Sequence, residues 1–209
     1  MIEQRTDAWR EQRAGKITAS RFADAIAMNS RTGKPTEARN TYMREIVAEI
    51  LSGQAKPEIS ARSLEWGKDV EPFAREAYEL ERGLVVVESE FLLHPAHDFI
   101  GCSPDGLIGD DGGIEMKCPK DPQVHVKTML ECMPNDHIGQ VQGCMLVTGR
   151  AWWDFVSYDP RETEPYRLYV ERIPRDEAFI AELEAGLLLF WQDVQAAIQK
   201  IDRNMRIAA

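Results

Sequence analysis

Asp105, Glu115 and Lys117 are the side chains of this sequence best arranged to do chemistry together. They lie in one stretch, Ser103-Pro104-Asp105-Gly106-Leu107 and then Ile114-Glu115-Met116-Lys117-Cys118-Pro119, with Asp110-Asp111-Gly112-Gly113 between. Residues 114–118 read as a short strand, which puts Glu115 and Lys117 on one face and Ile114, Met116 and Cys118 on the other. The Asp-Gly run is turn chemistry, so flanking strands can fold back as a hairpin and carry Asp105 toward Glu115. Two converging carboxylates can hold a hard divalent ion, and an adjacent lysine can orient or deprotonate a water. That combination suits metal-assisted hydrolysis of a phosphodiester, in which ions about 3.5–4 Å apart stabilise the attacking and the leaving oxygen. Taken alone, the pattern also fits a solvated charged hairpin, because Asp-Gly turns and Glu-x-Lys pairs are common.

The elements that must position these groups can be read from periodicity and punctuation. A helix is expected over 20–28, capped by Thr18 or Ser20, and a longer one over 36–51, with Tyr42, Met43, Ile46, Val47, Ile50 and Leu51 at helical spacing and Gly53 as its stop. A helical stretch over 61–82 should break or restart at Pro72 and end at Gly83. Strands are expected over 84–88, 90–94, 99–103, 107–109 and 114–118. A helix near 136–147, strands near 151–158 and 166–173, and a long helix over 175–201 complete the pattern. No repeat, low-complexity block or long linker interrupts it. The expectation is one α/β domain, residues 1–209, with a mixed central β-sheet flanked by α-helices.

Composition fits a globular enzyme: 209 residues, 44% hydrophobic and 29% charged, enough chain to bury a core without a second domain. No apolar run approaches the roughly 18 residues of a membrane span, and the polar start Met1-Ile2-Glu3-Gln4-Arg5 lacks the apolar core of a signal peptide. A cytoplasmic location with no membrane association is expected. Cys102, Cys118, Cys132 and Cys144 show no C-x-x-C pairing, so reduced, mostly buried thiols are the reading. The net charge of −10 opposes phosphate binding, but it is unevenly spread: residues 1–68 carry 12 Lys and Arg against 9 Asp and Glu, the remainder 13 against 26. A basic groove in an acidic exterior would confine a polyanion to one path.

The order Pro-Asp, then Glu-x-Lys, resembles the restriction-endonuclease-like PD-(D/E)xK nucleases. The fuller string from Cys102 to Pro119 resembles the phage lambda exonuclease and YqaJ viral recombinase family. Further blocks occur in matching order: Ala14-Gly15-Lys16-Ile17-Thr18-Ala19-Ser20, Trp66-Gly67-Lys68-Asp69-Val70-Glu71, Gln140-Val141-Gln142 and Tyr158-Asp159-Pro160-Arg161. The resemblance spans residues 9–161 and implies a restriction-endonuclease-like core. It further implies a Mg2+-dependent exodeoxyribonuclease that digests one strand of linear double-stranded DNA 5' to 3', leaving 3' overhangs for phage-type recombination. Two Mg2+ per site are implied, with Mn2+ expected to substitute, held by Asp105, Glu115 and the Met116 carbonyl. Lys117 would assist the attacking water, with Glu71 and Gln140 in support. Glu71 also fits a first-turn glutamate favoured by the helix dipole, and Gln140 a solvent-facing helix residue.

Arg13, Ser20 and Ser103 match a pocket for the terminal 5'-phosphate, where arginine forks around phosphate oxygens and hydroxyls complete the anion site. Arg62 and Leu64 match a basic DNA contact and an apolar wedge at the duplex end. Gln123 stands where the lambda enzyme has an arginine that contacts substrate; Lys120 or Lys127 could substitute. The implied partners are double-stranded DNA ends, a single-strand annealing protein and two further copies in a homotrimer ring. Two rival readings are a repair or CRISPR-type endonuclease on the same core and a noncatalytic DNA-end-binding protein. Among the histidines, His94 and His97 form H-x-x-H around Pro95, read as a loop pair because proline bars a helix and no third soft ligand is near. His125 follows the catalytic strand, where approach to metals or DNA is open. Trp152, Trp153, Phe155 and Trp191 read as core or subunit interface.

Overall fold

The computed structural model describes residues 6–56 and 62–208, without the side chains of residues 62–64 and 208. In chain order the elements are α1 (Asp7–Arg13), β1 (Ile17–Thr18), a 3-10 turn at Ala19–Arg21, α2 (Phe22–Ile26), α3 (Glu37–Ser52) and α4 (Arg62–Arg82). Then come β2 (Val86–Val87), β3 (Leu92–Leu93), β4 (Ile100–Cys102), β5 (Gly106–Ile108), β6 (Gly112–Lys117) and α5 (Pro122–Glu131). A 3-10 turn at Asn135–His137 leads into α6 (Ile138–Thr148), followed by β7 (Trp152–Tyr158), β8 (Leu168–Pro174) and α7 (Glu177–Ala208).

The strands divide between two mixed sheets instead of one. Five are ordered β2-β5-β6-β7-β8, with β6 and β7 parallel and the other neighbours antiparallel. Three are ordered β1-β4-β3, with β1 parallel to β4. A parallel β6–β7 pair demands a crossover, and α5 and α6 supply it. One core lies among α2, α3, α6, α7 and the three-stranded sheet; a second lies between α4 and the five-stranded sheet. In α7, Ile180, Leu183, Leu187, Phe190 and Val194 form the buried stripe that three-and-four spacing produces. The α6 helix is buried over Val141 and Cys144 to Val147, as a helix with apolar residues all round must be.

Several expected boundaries hold. Thr36 accepts from the Arg39 N–H to start α3, and Gly53 ends it at φ +66°. The α4 helix departs from expectation, because it runs through Pro72 without a restart. Proline inside a helix costs about 3 kcal/mol. Val70, Ala74 and Tyr78 are buried against the sheet on both sides of it, and burying side chains of the Val class yields roughly 1.5–3 kcal/mol each. Tertiary packing therefore outweighs the break. Two helices, α1 and α5, were not expected, although α5 carries its start signal: Asp121 accepts from the Gln123 N–H at 3.0 Å and Pro122 stands in the first turn. No helix among the described residues is long and apolar enough to cross a membrane.

Candidate active site

The antiparallel register of β5 and β6 pairs Gly106 with Ile114. One step beyond the ladder, Asp105 falls opposite Glu115, the spacing at which directly facing side chains lie about 4.5–5.5 Å apart at Cβ. The reversal is made by Gly109 at φ +52°, and β6 can lie close to β7 because Gly113 has no Cβ to meet the Trp153 ring. As expected from alternation, Ile114 and Met116 enter the second core with Cys118 against it, while Glu115 and Lys117 turn to the opposite face. Beyond the end of β5 the Met116 N–H has no ladder carbonyl opposite it there; it donates to Asp105 Oδ2 at 2.7 Å. That bond fixes the aspartate.

Glu115 is 1% exposed. Its Oε1 accepts from Lys117 Nζ at 2.6 Å and from Gln140 Nε2 at 2.7 Å, whereas its Oε2 is buried with no hydrogen-bond partner. A buried unpaired carboxylate oxygen is costly unless a cation completes it. Burial first, then the charges of Glu115 and Glu71, raise the Asp105 pKa well above the ordinary aspartate value; Lys117 and the Met116 N–H only partly offset this. Burial opposes the Lys117 charge, but Glu115 and Asp105 outweigh it and raise its pKa, so the side chain is an ammonium. Three acids face one lysine and, 3.9 Å from Glu71, one arginine, which leaves negative charge in excess. The donors are all oxygens, which suits a hard divalent ion.

Glu71, on α4, lies near enough for its charge to raise both Asp105 and Cys118, and it sits 3.9 Å from Arg75 Nη2. Gln140 is the third residue of α6, one turn after His137. His137 escaped sequence reading. It stacks on Phe155 at 5.2 Å, and burial followed by the nearby Lys117 charge pushes its pKa down to about 4, leaving a neutral imidazole beside the site. Its one-turn offset from Gln140 was the available signal.

Arg13 and Ser103 meet as expected: Arg13 Nη1 donates to Ser103 Oγ at 2.7 Å. Trp9 Nε1 also donates to that oxygen, at 3.1 Å, and the Arg13 guanidinium lies 4.2 Å over the Trp9 ring. Burial lowers the Arg13 pKa, and among the described residues no carboxylate stands within ion-pair distance of it. Ser20 lines a cavity of about 550 Å³ with Arg13, Lys16, Arg21 and Lys56. Arg13 therefore touches Ser103 and Trp9 and shares a cavity with Ser20, while Ser103 is not among the residues lining that cavity.

Other expectations need correction or fall away. His125 does not approach the carboxylates: it is 0% exposed, its Nε2 donates to the Tyr166 carbonyl at 2.8 Å and its Nδ1 accepts from Ser157 at 2.7 Å. It is a structural pin. Gln123 is exposed in the first turn of α5, on the same surface as Lys127, which lies 3.7 Å from Glu131; the Lys120 carbonyl accepts from Arg161 at 3.0 Å. The side chains of Arg62 and Leu64 lie outside the described residues. The Tyr158-Asp159-Pro160-Arg161 block is architectural: Arg161 clasps Asp159 at 2.8 and 2.7 Å and holds the segment after Lys117 through Lys120. Gln142 likewise bonds Pro174 and the Asp176 N–H ahead of α7, while Gln140 alone of its block reaches Glu115.

A family model described as "YqaJ-like viral recombinase domain" matches residues 8–151. Among solved structures, the chain is similar to an alkaline exonuclease (LHK-Exo) from Laribacter hongkongensis, at 37% identity and TM-score 0.88, over 98% of this chain and 100% of that one. The structure of LHK-Exo in complex with dAMP matches at 38% identity and TM-score 0.89, again over 98% and 100%. A phage related exonuclease from Haemophilus somnus 129PT shares the fold at 18% identity and TM-score 0.72, over 89% of this chain and 96% of that one. No curated protein sequence matches. The two mixed sheets with their flanking helices are a restriction-endonuclease-like core. The family match covers well over half of the residues, and the chain belongs to the YqaJ-like viral recombinase family.

Proposed function

We propose that this nuclease is a Mg2+-dependent exodeoxyribonuclease that digests one strand of linear double-stranded DNA from its 5' end and leaves 3' overhangs for recombination by strand annealing. One observation carries the reading: Glu115 is buried with one oxygen held by Lys117 and Gln140 and the other unsatisfied, beside Asp105. Asp105, Glu115 and the Met116 carbonyl would hold two Mg2+, with Mn2+ able to substitute. Bound there, divalent ions supply charge neutralisation at the phosphate and an activated water.

The chain's own residues do the rest. Gln140 and the Met116 N–H fix the two carboxylates, so little reorganisation is needed when substrate arrives. Lys117, an ammonium held by Glu115, can donate a hydrogen bond to the attacking water or to the phosphate oxygens. Glu71 adds a third acid beside Asp105. Arg13, with Ser103 and Ser20, offers the fork and hydroxyls for a terminal phosphate. Ser103 is two residues from Asp105, a reach of about 7 Å at most. A 5'-phosphate anchored at Arg13 would thus set the next linkage near the carboxylates, and each cut would release a mononucleotide. The complex of a 38% identical relative with dAMP supports this outcome.

A homotrimer ring around the duplex and a single-strand annealing partner complete the proposal, as do a basic contact from Arg62 and an apolar wedge from Leu64. The test uses linear duplexes labelled separately at each terminus, with Mg2+, and closed circular DNA alongside. Early release of 5' label as mononucleotide, with the circle intact, is the expected result. Cutting of the circle would point to a repair-type endonuclease, and end binding without digestion, equal in wild type and Asp105→Ala, would point to a noncatalytic end-binding protein.

A further inference from the structure

His94 and His97 lie outside the nuclease centre, and the fold supplies the third ligand that no neighbouring residue provides. The loop between β3 and β4 is pinned by its backbone: the His94 N–H donates to the Ile100 carbonyl at 2.8 Å, the His97 N–H to the His94 carbonyl at 3.3 Å and the Ile100 N–H to the His97 carbonyl at 3.0 Å. Pro95 takes the second position of this tight turn, where its fixed φ is an advantage. Proline bars a helix here, but the turn it favours folds the two imidazoles together, with centroids 4.9 Å and planes 15° apart.

Glu184, on α7, faces the pair. Its Oε1 lies 3.7 Å from His94 Nε2 and 3.4 Å from His97 Nε2. One donor atom from each of the three residues lies within 4.8 Å of the others, and no other such group of metal-ligating side chains occurs among the described residues. A tetrahedral Zn2+ with bonds of about 2.0–2.1 Å sets its ligand atoms roughly 3.3 Å apart. The His97–Glu184 distance of 3.4 Å is close to that value, and the His94–Glu184 distance of 3.7 Å requires a small side-chain adjustment. Behind the loop, Phe99 stacks on Trp191 at 4.4 Å, and Trp191 lies two helical turns beyond Glu184 on the same side of α7. The apolar backing holds loop and helix in register.

We propose that His94, His97 and Glu184 form a second metal site, one for Zn2+, that clips the β3–β4 loop to α7. Imidazole nitrogens suit zinc, whereas Mg2+ selects oxygen ligands and stays with Asp105 and Glu115. With no ion bound, His94 Nδ1 accepts from the Ala96 N–H at 3.2 Å, so its hydrogen sits on Nε2. Zinc at Nε2 moves that hydrogen to Nδ1 and opens the Ala96 contact; the ring remains neutral and no proton is lost overall. His94 is nearly buried, while His97 and Glu184 are partly exposed, which gives the ion a route in from solvent. A water completes the fourth position.

The full-length chain carrying Asp105→Asn and Glu115→Gln, which empties the nuclease centre, is titrated with Zn2+ by calorimetry and with Co2+ by visible absorption. One Zn2+ per chain is expected, with Co2+ bands of a nitrogen-containing low-coordinate site and no competition from Mg2+. Adding His97→Ala or, separately, Glu184→Gln should weaken Zn2+ binding by about tenfold or more. Glu184→Gln keeps the side chain's shape, so a loss there is not a folding failure. Absence of Zn2+ binding in the starting background overturns the proposal, as does binding that neither substitution weakens.

Discussion

Two sets of buried acids stand on neighbouring strands, and they are treated in opposite ways. Asp154 on β7 is 1% exposed and fully answered: Arg172 donates to both of its oxygens, at 2.8 and 2.9 Å, and Tyr78 donates at 2.6 Å. Asp159, just past the same strand, is clasped by Arg161, which lowers its pKa. On β6 and at the mouth of β5, Glu115 keeps one unpartnered oxygen, and Asp105 is pushed upward by burial and by two neighbouring acids. The first set joins α4 to the sheet and braces the loop after Lys117. Charge left unsatisfied at the second has no structural benefit, which is what supports the proposal of a cation and a substrate there.

The contrast can be broken by substitution. Asp105→Asn or Glu115→Gln should reduce DNA digestion on the order of 10³-fold or more. Asp105→Asn should also raise the melting temperature of the metal-free protein by a few degrees, whereas Glu115→Gln should not, because it strands the Lys117 ammonium; metal-induced stabilisation should vanish in both. Turnover and thermal scans with and without Mg2+ check both. Lys117→Ala should cost roughly 10²-fold or more in turnover with little change in DNA affinity; equal turnover would remove the lysine from the mechanism.

Arg13→Ala should erase a preference for 5'-phosphorylated over 5'-hydroxyl ends, worth about tenfold in kcat/KM. Asp154→Asn should act only on stability, by about 1–3 kcal/mol, since Arg172 is half exposed and its loss of a partner is softened by water. Activity per folded molecule should not change. Denaturant unfolding beside single-turnover kinetics separates the two.

The pH dependence of metal-free stability should show the same division. Asp105 has a raised folded pKa, so its contribution is most favourable below the ordinary value of 3.8 and is lost as pH rises through the folded value. Asp159 has a depressed one, so its contribution is present above 3.8 and lost as pH falls through the folded value. Thermal scans should find Asp105→Asn stabilising at pH 7 and less so at pH 4. Asp159→Asn should be destabilising at pH 7, with the difference shrinking below pH 3.

What the sequence made legible was local. The hairpin, the alternation of Glu115 and Lys117 against Ile114 and Met116, the Gly53 stop and the α7 stripe follow from rules that act within a few residues. Family blocks then pointed to Glu71 and Gln140, which lie beside Asp105 and Glu115, and to Arg13 and Ser103, which bond each other. Hidden features depend on pairings that leave no local trace: Trp9 and Ser103 are 94 residues apart, and Glu184 joins His94 and His97 from the last helix. Pro72 misled because its penalty is local and its compensation is not. His125 misled because proximity along the chain to the catalytic strand says nothing about which face it takes.

The most direct measurement is anomalous scattering from crystals soaked with Mn2+. A peak within coordination distance of Glu115 Oε2 and the Asp105 carboxylate, absent from Asp105→Asn crystals, is the predicted result. No peak between those two side chains, with oligonucleotide bound and Mn2+ in excess, would contradict the reading of this acidic pair as the metal centre of a nuclease.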